Sequence, residues 1–280
     1  MISNKKLTNI FRLDKKIVIV TGAAGLLGRE HVEAIAAYGG TPILLDLSAK
    51  AVDKLAIEIN QKYKVGAVGF GVDITNEEKV KKCSLQITEK FKKIDGLVNN
   101  AANNPKVENS NGTNFSRLEN FPLEIWNQDV AVGLTGVFLC AKYFGSVISQ
   151  NPNGGSIVNI SSDLGLIAPD QRLYYRPGEL DHHQPVKPIT YSVIKTGIIG
   201  LTRYLATYWN SQNVRCNALC PGGVQNSQPE DFLHKVSIRV PMGRLADKNE
   251  YQGTLLWMLS DASSYLNGAV IPVDGGRTAW

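Results

Sequence analysis

Tyr191 and Lys195, a tyrosine and a lysine four positions apart, are the chemically most suggestive pair in the sequence. On a helix, residues i and i+4 share one face, so the phenol and the ammonium point in the same direction. A nearby ammonium favours the phenolate and lowers the pKa of a tyrosine from about 10 toward neutrality. Such a phenol can protonate a carbonyl oxygen or take the proton of an alcohol. The pair gains meaning because an apolar run upstream, Ile157–Ile160, ends in the two serines Ser161 and Ser162.

A glycine-rich loop follows the first apolar run, with the sequence Thr-Gly-Ala-Ala-Gly-Leu-Leu-Gly over residues 21–28. Between a strand and a helix, glycines allow a tight turn and a close approach of the backbone to a pyrophosphate. The helix N-terminus then offers free N–H groups and the positive end of its dipole. The position of the loop therefore predicts a dinucleotide site, the alternative being a tight turn that binds nothing.

Asp46 ends the second apolar run, 18 positions after Gly28. A carboxylate at this place can accept hydrogen bonds from both ribose hydroxyls and would repel a 2′-phosphate. No Arg or Lys directly follows Asp46, and none lies in the glycine loop before Gly28. These features favour NAD over NADP. The alternative is that Asp46 only caps the next helix.

Short β-branched runs alternate with stretches of helical period along the whole chain. The predicted strands are Lys16–Val20, Pro42–Leu45, Ala67–Val72, Ile94–Val98, Ser156–Ile160, Val214–Leu219 and Ala269–Val273. The predicted helices are Leu26–Tyr38, Ala49–Tyr63, Glu77–Phe91, Leu123–Ser149, Ile189–Trp209 and Asn249–Leu259. The strands are apolar on both faces, as buried parallel strands are. The pattern predicts a single α/β domain over residues 1–280: a doubly wound (Rossmann) parallel sheet of seven strands with helices on both faces.

Composition excludes several classes of protein. With 43% hydrophobic and 20% charged residues and a net charge of +5, the chain is typical of a folded soluble domain. No basic run with interleaved aromatic residues predicts nucleic-acid binding, and no apolar run approaches the length of a membrane helix. Lys5 and Lys6 are not followed by the apolar segment of a signal peptide, so a cytoplasmic location is expected. The four cysteines have no metal-ligand spacing, so free thiols and no metal site are expected.

At this point the chain resembles the short-chain dehydrogenase/reductase family over essentially its whole length. The matching pieces occur in the family's order: Thr21-Gly22 to Gly28, Asp46, Val72-Asp73, Asn99 to Ala102, the strand ending at Ser162, Tyr191 with Lys195, Pro221-Gly222, Pro241 to Arg244, and Val273 to Gly276. A less specific resemblance is to oxidoreductases of bacterial surface-sugar and flagellin modification. It is carried by the segment Gly165–Asp170, by Tyr174-Tyr175 and by the glycine spacing Gly22, Gly25 and Gly28.

The resemblance implies roles for individual residues. Ser162 would hydrogen-bond the substrate oxygen, Tyr191 would exchange its proton, and Lys195 would hold the nicotinamide ribose and lower the pKa of Tyr191. The hydride transfer itself would belong to the cofactor. The implied cofactor contacts are Gly22, Ala24, Gly25, Leu26, Leu27, Gly28, Asp46, Leu47, Asp73, Ile74, Asn100, Ala101, Ala102, Tyr191, Lys195, Pro221, Gly222 and Val224.

Three positions depart from the family's pattern. Leu26 stands where the middle glycine of the loop is expected, and Gly25 lies one place earlier, as in the branch that acts on nucleotide sugars. Gly133 replaces an Asn that supports a proton-relay water, and Asn226 replaces a Thr near the carboxamide. These departures keep two alternatives open: an epimerase or dehydratase that recycles bound NAD, and a catalytically weak NAD-binding partner subunit.

Two polar segments interrupt the alternation, here named the first insertion (103–121) and the second insertion (168–188). The family's usual spacing after the serine falls on Tyr175, but Glu179 then replaces the lysine, so Tyr191 is preferred and about 16 extra residues precede it. Both insertions leave the carboxyl edge of the sheet, where ligands bind. They predict a polar, sugar-like substrate, with Arg172, Tyr174, Tyr175 and Arg176 as candidate contacts. The alternative for the second insertion is an oligomer contact or a solvated loop. The resemblance also implies a homodimer or homotetramer.

Overall fold

Seven parallel strands form one sheet in the order β3-β2-β1-β4-β5-β6-β7. The computed structural model describes residues 7–103 and 114–280. Lys5, Lys6 and residues 104–113 of the first insertion lie outside the described residues. The strands are β1 (Ile17–Thr21), β2 (Thr41–Asp46), β3 (Val68–Gly71), β4 (Gly96–Asn99), β5 (Gly155–Ile160), β6 (Val214–Pro221) and β7 (Val270–Val273). The predicted doubly wound single-domain fold is confirmed.

Helices cover both faces of this sheet. They are α1 (Leu26–Ala37), α2 (Ala49–Tyr63), α3 (Glu77–Phe91), α4 (Leu123–Ile148), α5 (Ile189–Tyr208), α6 (Glu230–Ser237) and α7 (Gln252–Leu259). Alternation along β1 divides the core: Val18 and Val20 join the layer that contains α1 and α7, whereas Ile17 and Ile19 join the layer that contains α3 and α4. Both faces of β1 are therefore buried, which explains its uninterrupted apolar sequence.

The strand order reverses between β1 and β4, which lie side by side with Ile19 opposite Leu97. The chain moves from β1 outward to β3 and then returns to β4 to build the other half of the sheet. Such a reversal leaves a crevice at the carboxyl ends of the central strands, and ligands of doubly wound sheets bind there.

Helix α4 corrects one expectation of the sequence. By length and composition it could cross a membrane, with a mean hydropathy of 1.6 over 18 residues, and half of that window is buried inside the protein. The statement that no apolar stretch approaches this length was wrong for α4, because it considered only uninterrupted runs and Thr135 and Lys142 break them. The helix includes two π-helical segments, Ala131–Thr135 and Ala141–Gly145. Burial of one side against the sheet explains its apolar composition.

Several short elements escaped the sequence analysis. Helix α6 was not predicted, although Glu230 and Asp231 in its first turn and His234 and Lys235 in its last suit the helix dipole. The second insertion contains two 3₁₀ turns, Gln171–Tyr174 and Asp181–His183.

The two insertions hydrogen-bond to each other. Asn114 Nδ2 donates to the carbonyl oxygen of His183 at 2.8 Å, and Arg117 Nη1 donates to that of Asp181 at 2.9 Å. The N–H of Val186 donates to Ser116 Oγ at 3.0 Å. The described part of the first insertion therefore braces the second one.

Candidate active site

A cavity of about 660 Å³ opens at the carboxyl ends of the central strands. Its walls come from the loops after β1, β2, β3, β4, β5 and β6, from the start of α5 and from the second insertion. The topology therefore gathers residues that are up to 255 positions apart in the sequence, Gly22 and Arg277, into one site.

The glycine loop is built to close tolerances. Gly22 has a φ of +62°, and a Cβ there would lie 2.8 Å from Ala101 Cα. A Cβ on Gly28 would lie 2.1 Å from the carbonyl oxygen of Gly22. Thr21 Oγ1 fixes the facing loop, because it accepts the N–H groups of Asn100 and Ala101 at 3.0 and 3.1 Å. No larger residue fits at Gly22 or Gly28 without backbone movement.

The first turn of α1 borders the cavity through Leu26 and Leu27. Its N-cap, Gly25, supplies no side-chain hydrogen bond, so the first N–H groups of the helix keep their capacity to bind an anion. Backbone N–H groups at a helix N-terminus are a common cradle for phosphate. This end of the cavity fits the pyrophosphate of a nicotinamide dinucleotide.

Asp46 lies at the same end, with its Oδ2 accepting the N–H of Ala24 at 3.1 Å. The cationic side chains that line the cavity, among the residues that the structure describes, are Lys187, Lys195 and Arg277, and they border its opposite end with Tyr191 and Asp163. Asp73 also borders the cavity, and hydrogen bonds from Thr75 lower the pKa of its carboxyl.

Lys195 is buried near the start of α5, with Tyr191 one turn before it. Its Nζ donates to the carbonyl oxygen of Ile160 at 2.9 Å, and its own carbonyl accepts Ser161 Oγ at 2.7 Å. These bonds tie α5 to the end of β5. Burial lowers the pKa of Lys195 to about 8, and the charge of Lys187 acts in the same direction.

The pKa of Tyr191 is raised, chiefly because the phenol is buried. A hydrogen bond with Ser162 acts in the opposite direction, and the charge of Asp163 raises the value further. The expected lowering of the Tyr191 pKa by Lys195 is therefore not observed with the protein's own groups. The Nζ of Lys195 lies 5.8 Å from the centre of the Tyr191 ring and donates to the carbonyl oxygen of Ile160.

Ser162 is held by the chain that follows it. Its Oγ donates to Asp163 Oδ1 at 2.7 Å and accepts the N–H of Leu164 at 3.2 Å. Asp163 in turn pairs with Arg277, whose Nη1 lies 3.0 Å from Oδ2, and both side chains are almost completely buried. An ion pair from two distant segments thereby orients the serine hydroxyl.

Most of the sequence-predicted residues border this one cavity. They are Gly22, Gly25, Leu26, Leu27, Asp46, Leu47, Asp73, Ile74, Asn100, Ala101, Ala102, Ser162, Tyr191, Lys195, Pro221, Gly222 and Val224. Ala24 and Gly28 are not among its lining residues and instead shape the loop behind it.

Of the four candidate substrate contacts, Tyr174 alone lines the cavity. Its ring lies 6.0 Å from that of Phe232, centre to centre, and burial raises its pKa to about 12. Arg172, Tyr175 and Arg176 are exposed outside the lining, and the two arginines pair with Asp170 and Glu179. The local ion pairs explain why these arginines turn away from the cavity.

Four charged residues of the site were not predicted from the sequence: Asp163, Asp170, Lys187 and Arg277. Asp163 directly follows Ser162, and Lys187 precedes the proline at the start of α5, so their neighbours in the sequence could have marked them. For Arg277 the sequence carried no signal beyond its place after Val273 to Gly276.

The glycine in place of the relay Asn has a steric explanation. A Cβ on Gly133 would lie 2.4 Å from Cγ2 of Ile194, one residue before Lys195. The branched side chain of Ile194 fills the space that a side chain at position 133 would need. Asn226, the other departure, lines the cavity.

No cluster of three or more His, Cys, Asp or Glu suitable for a metal occurs in residues 7–103 and 114–280. All four cysteines lie in that part of the chain, and they are buried and free of disulfides.

Comparisons with known proteins agree with this geometry. Residues 16–176 match the family model described as short chain dehydrogenase, and residues 182–278 match that described as enoyl-(acyl carrier protein) reductase. The chain is 30% identical to trans-4-hydroxycyclohexanecarboxylate dehydrogenase of Sinomonas cyclohexanicum, over 96% of this chain and 95% of that one. It is also 30% identical to meso-2,3-butanediol dehydrogenase of Serratia marcescens, over 96% of each.

Solved structures with the same fold include a short-chain type dehydrogenase/reductase from Mycobacterium marinum, with a TM-score of 0.84, 25% identity and coverage of 99% and 100% of the two chains. An NAD⁺-bound xylitol dehydrogenase has a TM-score of 0.81 and 26% identity, over 94% of this chain and 99% of that one.

Proposed function

The chain belongs to the short-chain dehydrogenase family, whose members are nicotinamide-dependent oxidoreductases, and from that premise we propose that it interconverts a secondary alcohol and a ketone with NAD. The observation that carries this proposal is the meeting of Ser162, Tyr191 and Lys195 in the cavity that also contains the glycine loop. When bound, the nicotinamide supplies or accepts the hydride.

The protein's own groups move the proton. In the oxidising direction, the Tyr191 oxygen, as the phenolate, takes the proton of the substrate hydroxyl. Ser162 Oγ, which donates to Asp163 Oδ1 in the structure, turns its proton to the same substrate oxygen when the substrate binds. The buried ammonium of Lys195 favours the phenolate more strongly once a ligand excludes water from the cavity. In the reducing direction, the Tyr191 hydroxyl returns the proton to the carbonyl oxygen.

NAD is proposed over NADP because of the charge around Asp46. A carboxylate suits the two ribose hydroxyls and repels a 2′-phosphate, and in the described residues no lysine or arginine borders the cavity at this end. The kcat/KM with NADP⁺ is therefore expected to be lower than that with NAD⁺ by about tenfold or more.

A polar, sugar-like alcohol is the proposed substrate class. Polar side chains of the second insertion border the cavity, among them Asp170, Tyr174 and Lys187. The relatives meso-2,3-butanediol dehydrogenase and D-threitol dehydrogenase are named for hydroxylated compounds, as is the NAD⁺-bound xylitol dehydrogenase. We further propose a cytoplasmic homodimer or homotetramer, with the exposed residues Phe138 of α4 and Tyr204 of α5 in the contact.

The test is formation of NADH from NAD⁺ with a panel of polyols, followed by absorbance. Tyr191→Phe keeps the ring and removes the hydroxyl, so kcat is expected to fall by about 10³-fold. Tyr265→Phe is the matched control, because Tyr265 is fully exposed. Full activity of Tyr191→Phe would refute the proposal.

The same preparation separates the two alternatives. NAD that copurifies and does not exchange with added NAD⁺ would favour the epimerase or dehydratase that recycles its cofactor. Activity that appears only with a second protein and survives Tyr191→Phe would favour the partner subunit.

A further inference from the structure

Lys187 places a cation next to the phenol of Tyr191. Its Nζ lies 3.9 Å from the centre of the Tyr191 ring, within the range of a cation–π contact. The residue lines the main cavity and also a smaller one of about 60 Å³ beside Asp129 and Gly133. Its ammonium is therefore adjacent to the atoms that the proposed reaction uses.

The second insertion holds this lysine in place. Pro188 follows it and restricts its backbone to extended conformations. The N–H of Lys187 donates to Gln171 Oε1 at 2.8 Å, across the insertion. The backbone of Lys187 is thus fixed just before the start of α5, and its side chain lines the cavity.

The other charged groups nearby already have partners. Asp163 pairs with Arg277, and Asp170 pairs with Arg172 and Arg239. Asp129 accepts Asn103 Nδ2 at 2.8 Å and Thr190 Oγ1 at 2.5 Å.

Lys187, by contrast, makes no ion pair with any carboxylate in the described ranges 7–103 and 114–280. Burial lowers its pKa, and the charge of Asp163 offsets this only in part. A partly desolvated ammonium that no carboxylate contacts favours an anionic ligand.

We propose that Lys187 binds an anionic group of the substrate, a carboxylate or a phosphate monoester, and thereby places a neighbouring carbinol against Tyr191 and Ser162. This inference rests on the proposed function and narrows its substrate class from polar alcohols to hydroxylated acids or sugar phosphates. A lysine suits either anion, because it acts as a point charge and does not require the planar geometry of a carboxylate.

Three six-carbon probes test the proposal by calorimetry: D-gluconate, D-glucitol 6-phosphate and neutral D-glucitol. Each is titrated into the protein saturated with NADH, so that cofactor and alcohol are both reduced and no turnover occurs. At least one anion is expected to bind about tenfold or more tightly than D-glucitol. The anion that binds identifies the group as carboxylate or phosphate.

Lys187→Met is expected to abolish this preference without weakening the binding of D-glucitol, and Lys187→Arg is expected to keep most of it. Lys82→Met is the matched control, because Lys82 is an exposed lysine of α3 and its loss changes the net charge equally. Equal binding of all three probes to the wild type, absence of binding by both anions, or an unchanged preference in Lys187→Met would each overturn the proposal.

The outcome is distinguishable from a failure of the proposed function. Lys187-dependent binding of an anion in a protein that oxidises no alcohol would refute the dehydrogenase activity alone. Turnover of neutral polyols without any preference for the anions would refute the role of Lys187 alone. A shift in the pH profile of turnover in Lys187→Met, with the anion preference intact, would assign the lysine to the Tyr191 phenol instead.

Discussion

The end of the cavity that faces β2 is built from backbone, whereas the end that faces the second insertion is built from charged side chains. At the first end, Gly22 and Gly28 approach other backbone atoms so closely that a single methyl group does not fit. At the second end, Asp163 and Arg277 meet across more than 100 positions of sequence. Backbone geometry suits the binding of the cofactor, which is the same in many enzymes. Side-chain charge suits the binding of the substrate, which differs from one enzyme to the next.

The largest expected effect comes from the charged end. Arg277→Met leaves the Asp163 carboxylate buried without its cation, which is expected to lower the free energy of unfolding by about 3–5 kcal/mol in urea denaturation. Lys142→Met breaks an exposed pair with Glu77 and is expected to leave the denaturation midpoint unchanged. Equal stability of the two variants would show that the buried pair contributes no more than the exposed one.

Helix α1, whose first turn borders the backbone-built end of the cavity, also contains His31, a buried residue whose two ring nitrogens have no hydrogen-bond partner. Burial lowers its pKa to about 4, so the unfolded chain binds a proton more readily than the folded one. The free energy of unfolding is therefore highest above about pH 6.5 and falls as the pH drops toward 4, by up to about 3 kcal/mol. His31→Phe is expected to reduce this dependence of the free energy of unfolding on pH, measured by urea denaturation at a series of pH values. His234→Gln, at an exposed histidine of α6, should retain it.

Gly28→Ala tests the steric precision of the glycine loop. Its new methyl group meets a backbone carbonyl, so the loop must shift, and the Kd for NADH is expected to rise about a hundredfold, equivalent to about 2.7 kcal/mol. Gly200→Ala is the control on α5, where nothing lies within 4 Å, and it is expected to bind NADH normally. Normal binding by both variants would mean that the loop is more plastic than its contacts imply.

The smallest effect is expected at Asp46. Asp46→Ala removes the ribose acceptor and its negative charge, so NADH should bind about tenfold more weakly and NADPH more tightly. Asp53→Ala, at an exposed carboxylate of α2, controls for the change in net charge. The two affinities are measured by cofactor fluorescence. An unchanged ratio between them would show that Asp46 does not determine the preference for NADH over NADPH.

The difference between the two ends of the cavity also explains which elements could be predicted from the sequence. All seven strands lie within two residues of their predicted bounds, because buried parallel strands and glycine turns leave local patterns. Helix α6 has only eight residues and begins after Pro229, without a long apolar period that would reveal it. Local pattern therefore sufficed for the backbone-built end of the site.

The charged end depends on contacts that no local pattern contains. Arg172 and Arg176 look equivalent to Lys187 in the sequence, yet each arginine has a carboxylate two or three positions away and turns toward it. Lys187 lies before a proline and has no such neighbour, so it stays in the cavity. Similarly, the space beside Gly133 belongs to Ile194, 61 positions later.

The hydrogen bonds between the two insertions have a consequence for protein engineering. Asn114, Ser116 and Arg117 support backbone groups of the segment that carries Lys187. A graft of residues 168–188 alone into a related scaffold would lose these supports and leave polar groups unsatisfied. The two insertions therefore form one structural unit, and we expect substrate preference to be transferred to a related protein only if both insertions are moved together.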